Sequence, residues 1–201
     1  FPIIFLLLIF SCNSSDIAGN HAHQIIYKDL DSIKTDKKLK ALINYSSTSY
    51  FLYKGNPMGF EYELLKKYAK HIDVELEVIP IKNMDSVFVD LNKGKGDIVA
   101  ANLTITKERL QKTSFTHPIL ITKQVLIQRK PDNWKSLRKK ELKKQLLNST
   151  IDLANKTIVV REGSAFYPRL KSLSNEIGGK INIKTVPGEI TMEQLIDQVS
   201  N

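Results

Sequence analysis

Three side chains near the middle of the chain have the types and spacing needed to bind a small anion. Thr104, Thr106 and Arg109 place two hydroxyl groups ahead of an arginine at the start of a predicted helical turn. The guanidinium offers a charged, two-pronged donor, and hydroxyl and backbone N–H groups offer neutral ones. This spacing favours a carboxylate site, and it also fits a helix cap at Thr106 followed by a solvated arginine.

Two other loops carry residues suited to the same task. Gly163-Ser164 opens a predicted helix and offers backbone N–H groups to an anion. Four aromatic residues crowd a single predicted loop, where they could stack on a ligand or pack against the next helix. These are Tyr45, Tyr50, Phe51 and Tyr53.

The residues that most enzymes require are not arranged for catalysis. Glu61 and Glu63 are two positions apart, so on a helix their carboxylates point in different directions and cannot act as an acid–base pair. There is no Ser-His-Asp order and no phosphate-binding loop. His71 and His117 belong to different predicted elements, and His21 and His23 precede them in a polar stretch. The sequence therefore predicts a binding protein without a metal site or a cofactor.

The elements that must position these loops alternate between strand and helix patterns. Strands are predicted at 39–44, 74–80 and 97–101. A helix is predicted over 60–72, with a stripe of Phe60, Leu64, Tyr68 and Ile72 flanked by Leu65 and Ala69, and a second helix runs up to Gly94. Strand–helix alternation indicates a mainly parallel sheet covered by helices. In such sheets ligands bind beyond the carboxyl ends of strands, so the loops after Asn44, Ala101 and Arg161 are the expected site.

The alternation resumes after residue 150. A strand is predicted at 157–161, a helix from Gly163-Ser164 to about Leu173, and a strand at 181–186. Thr191 and Gln194 have the spacing of a capping box at the start of a last helix. We therefore expect a first lobe over 39–122 and a hinge strand with a partial second lobe over 123–201, the second lobe being incomplete because two strands are few for a stable sheet.

The N-terminal region has the pattern of a bacterial lipoprotein. Phe1 to Phe10 is an apolar run of a length typical of a signal peptide. Cys12 follows it directly and is the only cysteine, which favours lipidation over a disulfide, although an ordinary free thiol would fit as well. We expect a signal peptide and lipobox at 1–12, a polar tether at 13–38, and membrane attachment through lipid on Cys12.

Most of the net charge of +9 lies in one short segment. Residues 129–144 contain eight Lys or Arg and two acidic residues. The segment has the pattern of a single amphipathic, leucine-containing patch, not of a groove lined by repeated aromatic residues, so it predicts no nucleic-acid groove. A solvated helix face is the simplest interpretation, and contact with an anionic lipid or cell-wall polymer is the alternative.

Taken together, the motifs resemble those of the family-3 extracellular solute-binding proteins, which include amino-acid receptors of importers. The resemblance covers about 39–201 and implies two α/β lobes joined by a hinge that close on a ligand. Its motifs are Gly59-Phe60-Glu61-Tyr62-Glu63-Leu64, Gly94-Lys95-Gly96-Asp97, Leu103-Thr104-Ile105-Thr106 with Glu108-Arg109, and Phe115-Thr116-His117-Pro118.

The resemblance also implies roles for individual residues. Thr104 and Arg109 would hold an α-carboxylate, and Asn102 stands where many relatives have a glycine. An aromatic ring would stack on the ligand, and the second lobe would contribute three residues. These further positions are Tyr50 or Phe51 for stacking, and Arg161, Gly163 and Ser164 in the second lobe.

A more specific resemblance is to the front part of the membrane-bound lytic murein transglycosylase F family. It is carried by the strings Val159-Val160-Arg161-Glu162-Gly163-Ser164-Ala165-Phe166 and Met192-Glu193-Gln194-Leu195-Ile196-Asp197-Gln198-Val199. It implies a regulatory or targeting domain on the periplasmic face of the cell envelope, lipid-anchored, with the outer membrane expected. The ligand would be an amino acid, a peptide or a muropeptide, and peptidoglycan a further partner. The alternative is a lipid-anchored amino-acid receptor of an importer.

Overall fold

The computed structural model describes residues 25–81 and 83–200. The predicted signal peptide, the lipidation site Cys12 and the tether up to residue 24 lie outside the described residues. In chain order the elements are α1 (Leu30–Thr35), β1 (Lys38–Asn44), β2 (Phe51–Tyr53), β3 (Asn56–Met58), α2 (Phe60–His71), β4 (Glu75–Ile81), α3 (Val87–Asn92), β5 (Ile98–Ala100), α4 (Lys107–Leu110), α5 (Lys139–Gln145), β6 (Thr157–Arg161), α6 (Phe166–Glu176), β7 (Asn182–Val186) and α7 (Met192–Ser200), with a 3-10 turn at Thr150–Leu153.

The first lobe is built on a parallel sheet of order β4-β1-β5. β1 lies at its centre because Leu39 and the run from Ala41 to Ile43 supply apolar side chains to both faces, and both faces of a central parallel strand are covered. Leu39, Ala41, Leu42 and Ile43 are all at most 4 % exposed. The carboxyl ends of the three strands therefore meet at one edge, which is where the sequence predicts the site.

Helix α2 forms over the predicted residues but buries a neighbouring face. Leu65 and Ala69 are buried against the sheet, whereas Phe60 is 61 % exposed and Leu64 and Tyr68 are each 39 % exposed. Leu65 packs in the same cluster as the inward side chains of β1. The buried face thus lies one residue further along the helix than the predicted stripe. Two faces of the helix carry apolar side chains, and packing against the sheet determines which of them is buried.

The aromatic loop contains a hairpin that the sequence analysis does not predict. β2 and β3 pair antiparallel through a two-residue turn at Lys54 and Gly55. Both residues have positive φ angles, 50° and 80°, as a type I′ turn requires. The glycine and its flanking apolar residues were the available signal.

The predicted tether is wrong for residues 25–38, because they belong to the folded first lobe. Asp29 caps α1 by accepting a hydrogen bond of 2.8 Å from the Ser32 N–H. Ile33 is 8 % exposed and packs with Leu39 and Ala69. The single apolar side chain that α1 buries was too weak a periodic signal to be recognised.

The second lobe is smaller. β6 and β7 are parallel and paired over five residues, from Thr157 opposite Asn182 to Arg161 opposite Val186. Its core is a single cluster of Leu153, Leu173 and Ile181. The predicted α/β class is confirmed in both lobes, whereas the limits 39–122 and 123–201 stay predictions.

The predicted hinge strand is absent: residues 111–138 contain neither helix nor strand. The apolar stretch 119–127 has strand-like composition, but no neighbouring segment among the described residues pairs with it. Ile119, Ile121 and Val125 are 65 %, 93 % and 80 % exposed. A strand needs partners for its backbone N–H and C=O groups, so composition alone does not form one.

Candidate functional site

Arg109 connects the two lobes at the carboxyl ends of their strands. Thr106 caps α4 by accepting a hydrogen bond of 3.2 Å from the Arg109 N–H, which fixes the arginine in the first turn. Its Nη1 donates to the carbonyl of Thr104 at 2.9 Å, and its Nη2 donates to the carbonyl of Gly163 at 3.1 Å. The predicted residues Thr104, Arg109 and Gly163 are therefore in direct contact.

The guanidinium is half-buried and lacks a counter-charge at hydrogen-bond distance. Within the described ranges, Arg109 takes part in no salt bridge; the adjacent Glu108 is bound to Lys112 at 2.6 Å instead. Burial lowers the pKa of Arg109, and the charge of Glu108 opposes that effect. The ring of Phe88 lies 5.7 Å from the guanidinium carbon. A half-buried cation held by neutral carbonyls is an electrostatically favourable place for an anion.

Ser164, next to Gly163, has a hydroxyl group whose hydrogen-bonding capacity is unused within the described ranges. Its Oγ is buried and has no hydrogen-bond partner among the described residues. A buried hydroxyl without a partner costs roughly 1–3 kcal/mol. The predicted pair Gly163-Ser164 thus places one hydroxyl that can still form a hydrogen bond beside the carbonyl that Arg109 binds.

Asp85 of the first lobe fits between two glycines of the second lobe. Gly163 has a φ of +67°, and a Cβ on it would overlap Oδ1 of Asp85; a Cβ on Gly188 would lie 2.6 Å from Oδ2. The Asp85 N–H donates to Oδ1 of Asn83 at 2.7 Å, which fixes the loop after β4. A side chain at either position would therefore require the Asp85 carboxylate to move, and at Gly163 the positive φ favours glycine as well.

Two hydrogen bonds extend this contact between the lobes. Asn83 donates to Oε1 of Glu189 at 2.7 Å, and the Ser47 hydroxyl donates to Oε1 of Glu193 at 2.8 Å. The pKa of Glu193 is lowered, first by its own backbone N–H at the start of α7 and then by Ser47, with Thr191 and the charge of Arg161 contributing less. Arg161 thus acts on this part of the interface.

The aromatic residues are divided between the core and the surface. Tyr50 packs against the first-lobe core and contacts the rings of Tyr45 and Tyr62, with centroids 6.1 and 5.6 Å away. Phe51 begins β2 and is half-buried, and Tyr53 is exposed. The aromatic ring beside Arg109 is that of Phe88 in α3.

Asn102 follows β5 in the left-handed conformation, with a φ of 49°. Glycine and asparagine tolerate this conformation better than other residues. The backbone geometry therefore suits an asparagine at this position. Its side chain is exposed.

The residues that sequence reasoning missed lie in the loop after β4 and in the partners of that loop. The rule that ligands bind beyond strand ends was applied to three strands but not to β4, whose following loop contributes Asn83 and Asp85. Phe88 lies in the predicted helix that runs up to Gly94, and nothing in its local sequence marked it as a neighbour of Arg109. No local signal marked Ser47 or Glu193, which meet across 146 residues of sequence.

Two features are absent from the described residues. No three side chains among His, Cys, Asp and Glu come together as a metal site in the part of the chain that the structure describes. No helix in the same ranges combines the length and apolar character needed to cross a bilayer.

This geometry, with two α/β lobes meeting at strand ends around a half-buried arginine, defines a two-lobed solute-binding fold. Solved structures agree. The ancestral amino acid-binding protein AncCDT-1, a precursor of cyclohexadienyl dehydratase, superposes with a TM-score of 0.62 and 26 % identity, covering 83 % of this chain and 68 % of that one. An amino acid ABC transporter substrate-binding protein of Streptococcus pneumoniae, AbpA, bound to L-arginine, shares the fold with a TM-score of 0.61, 24 % identity, and coverage of 84 % and 65 %.

The family model for bacterial extracellular solute-binding proteins, family 3, matches residues 39–167. The chain belongs to this family. Among curated proteins it is 31 % identical over 196 residues to a membrane-bound lytic murein transglycosylase F of Desulfosudis oleivorans, covering 97 % of this chain and 40 % of that protein. The chain thus spans less than half the length of this relative, and the part that matches includes the solute-binding region.

Proposed function

We propose that the chain binds a small carboxylate-bearing ligand between its two lobes, with Arg109 as the principal contact. The observation that carries this proposal is the bonding of Arg109: a half-buried guanidinium whose hydrogen bonds go to the neutral carbonyls of Thr104 and Gly163. Hydrogen bonds between ionised partners are about twice as strong as neutral ones. A ligand carboxylate would therefore replace one or both carbonyls with a net gain.

The neighbouring residues complete the proposed site. The free hydroxyl of Ser164 donates to the carboxylate, and Arg161 stands at the end of β6 on the second-lobe side. Asn102 and the aromatic residues Tyr50 and Phe51 form the first-lobe rim. Binding requires the Arg109–Gly163 contact to open, so ligand entry is coupled to separation of the lobes.

An amino acid or a short peptide is the ligand class that the proposal favours. The solved relatives are named as amino acid-binding proteins, and AbpA is bound to L-arginine. A muropeptide also carries a carboxylate and fits the kinship with lytic transglycosylases. Ligand class therefore separates two roles for the domain.

The first role is a regulatory or targeting domain of a peptidoglycan lytic transglycosylase, which the similarity to transglycosylase F supports. The second is an amino-acid receptor of an ABC importer, which the similarity to AbpA supports. In both roles we propose a location in the bacterial cell envelope on the periplasmic face, with lipid on Cys12 as the anchor and the outer membrane as its site. The relative's description as membrane-bound agrees with this location.

Calorimetry of the full chain against amino acids, short peptides and muropeptides tests the proposal. A ligand at about a hundred times its Kd stabilises the folded state by about 2.7 kcal/mol. We expect such stabilisation, with Arg109→Ala abolishing it and Arg109→Lys weakening it, because lysine keeps the charge but loses the planar fork.

Arg138→Ala is the matched control, since the Arg138 side chain is 88 % exposed and its guanidinium donates to Glu141 at 3.2 Å. Stabilisation that survives Arg109→Ala would refute the assigned contact. Stabilisation by free amino acids would favour the receptor role, and stabilisation by muropeptides alone would favour the transglycosylase role.

A further inference from the structure

Residues 129–144, here called the basic segment, form an exposed surface of strong positive charge. Eight Lys or Arg and two acidic residues give it most of the chain's excess of +9. Two salt bridges lie within the segment, Arg129 to Asp132 at 3.9 Å and Arg138 to Glu141 at 3.2 Å. The four lysines of α5 make no salt bridge within the described part of the chain; they are Lys139, Lys140, Lys143 and Lys144.

The basic segment lies in a loop whose two ends are joined by hydrogen bonds between Gln128 and Leu147. The side-chain amide of Gln128 donates to the Leu147 carbonyl at 2.8 Å and accepts from the Leu147 N–H at 2.9 Å. Between these ends the chain turns at Pro131 to Leu137, where the Trp134 N–H donates to the Pro131 carbonyl at 2.9 Å, and then forms α5. The charges are thus carried on an ordered scaffold rather than on a loose chain.

Trp134 adds an amphipathic side chain to this surface. It is 39 % exposed, and the Lys130 and Lys135 ammonium groups lie 4.0 and 5.9 Å from its ring centroid. Tryptophan prefers the headgroup level of a bilayer, where its ring is partly buried and its N–H stays hydrated. Lysines around one tryptophan are complementary to a membrane surface, where negatively charged headgroups lie above an apolar interior.

We propose that the basic segment docks on the surface of an anionic phospholipid membrane, through lysine contacts to lipid phosphates and partial burial of Trp134. Clusters of four to eight basic residues bind anionic lipids, and each contributes about 1 kcal/mol, or about fivefold in affinity. Leu142 is the only apolar residue of α5 and is half-buried, so the contact lies on the membrane surface without helix insertion. This surface is separate from the Arg109 site and does not depend on the proposed ligand binding.

Trp134 is the only tryptophan of the chain, so its fluorescence reports on this segment alone. The full chain is titrated with vesicles of phosphatidylcholine, with and without phosphatidylglycerol, at low and high salt. We expect a blue shift with the anionic vesicles only, suppressed by salt. Replacing Lys139, Lys140, Lys143 and Lys144 by Gln should weaken binding at least about tenfold, while Gln maintains helix propensity.

The matched control replaces four exposed lysines outside the basic segment by Gln, so its net charge equals that of the variant lacking the four α5 lysines. These are Lys67, Lys70, Lys171 and Lys180. The control should bind as the unmodified chain does. Equal weakening by both sets would mean that net charge alone drives adsorption, and would overturn the assignment. A similar blue shift with neutral vesicles, or equally strong binding to double-stranded DNA, would overturn the choice of anionic lipid.

Discussion

The two lobes share one construction but differ in how completely each buries its sheet. β1 of the first lobe lies between two strands, and four of its seven residues are at most 4 % exposed. β6 of the second lobe has one neighbouring strand, and Val160 is its only buried residue. Burial stabilises in proportion to the apolar area removed from water. The difference shows that a parallel strand needs neighbours on both sides to form a deep core.

The largest expected effect tests this difference directly. Ile43→Ala removes a side chain with 0 % exposure at the centre of the first sheet, and should lower the free energy of unfolding by about 4 kcal/mol. Leu173→Ala, in the shallower second-lobe core, should cost about 2.5 kcal/mol. Urea unfolding of the full chain followed by circular dichroism measures both.

Ile121→Ala is the control for these core substitutions because Ile121 is 93 % exposed, and it should change stability by less than about 0.5 kcal/mol. If Leu173→Ala cost as much as Ile43→Ala, the second-lobe core would be as deep as the first. The difference in stability between the two lobes could then not be explained by the burial of their sheets.

The next effect concerns the contact between the lobes. Gly163→Ala places a Cβ against Asp85 and forces alanine into a φ of +67°, which alone costs about 1–2 kcal/mol. We expect a total loss of about 2–3 kcal/mol, and Asp85→Ala in the same chain should recover the part due to overlap. Unfolding of the two single variants and the double variant measures the coupling. Additive effects would show that Asp85 and Gly163 are not in contact in solution.

Helix capping gives a smaller and more local comparison. The Thr191 hydroxyl accepts from the Gln194 N–H at 3.2 Å, and Oε1 of Gln194 accepts from the Thr191 N–H at 2.8 Å, as the sequence predicts. Thr191→Ala should cost about 1 kcal/mol in urea unfolding, with Thr191→Ser retaining most of the stability. An alanine variant as stable as the serine variant would mean that this box contributes little.

Local patterns predicted the local structure of both lobes well. The cap at Thr106 and the capping box at Thr191 depend on neighbouring residues, and each formed as expected. The strand at Thr157–Arg161 also formed where its apolar, β-branched run predicts it, although its partner strand is the distant β7. The carboxylate pattern correctly grouped Thr104 with Arg109. The two caps and the Thr104–Arg109 contact could be predicted because the atoms that form them are at most five residues apart.

Features that depend on distant contacts could not be predicted in this way. The tether assignment failed because Ile33 is ordered by contacts with Leu39 and Ala69, and the hinge strand failed because Ile121 has no neighbouring strand in the described ranges. The bond between Ser47 and Glu193 depends on the closure of two lobes. Sequence patterns report what a segment can form, whereas its partners decide what it does form.

The smallest expected effect concerns two carboxylates: Glu193, which bonds across the two lobes, and Asp152, which bonds within the second lobe. Glu193 bonds to Ser47 of the first lobe, and its pKa is lowered below the usual 4.5, so its contribution to stability is full above that value and is lost as the pH falls through the lowered pKa. The pKa of Asp152 is lowered by the backbone N–H groups of Asn148 and Ser149, inside the second lobe.

Glu193→Gln should therefore reduce the urea midpoint slightly at neutral pH and not at acidic pH, and Asp152→Asn should follow the same trend. Ser47→Ala should reproduce part of the Glu193→Gln effect and leave that of Asp152→Asn unchanged, because the Ser47 hydroxyl donates to Glu193, whereas Asp152 accepts from backbone groups of the second lobe. If Ser47→Ala did not affect the acid dependence, the lobes would be apart at this edge in solution, and the lowered pKa of Glu193 would come from groups of the second lobe, its own backbone N–H first and then Thr191 and Arg161.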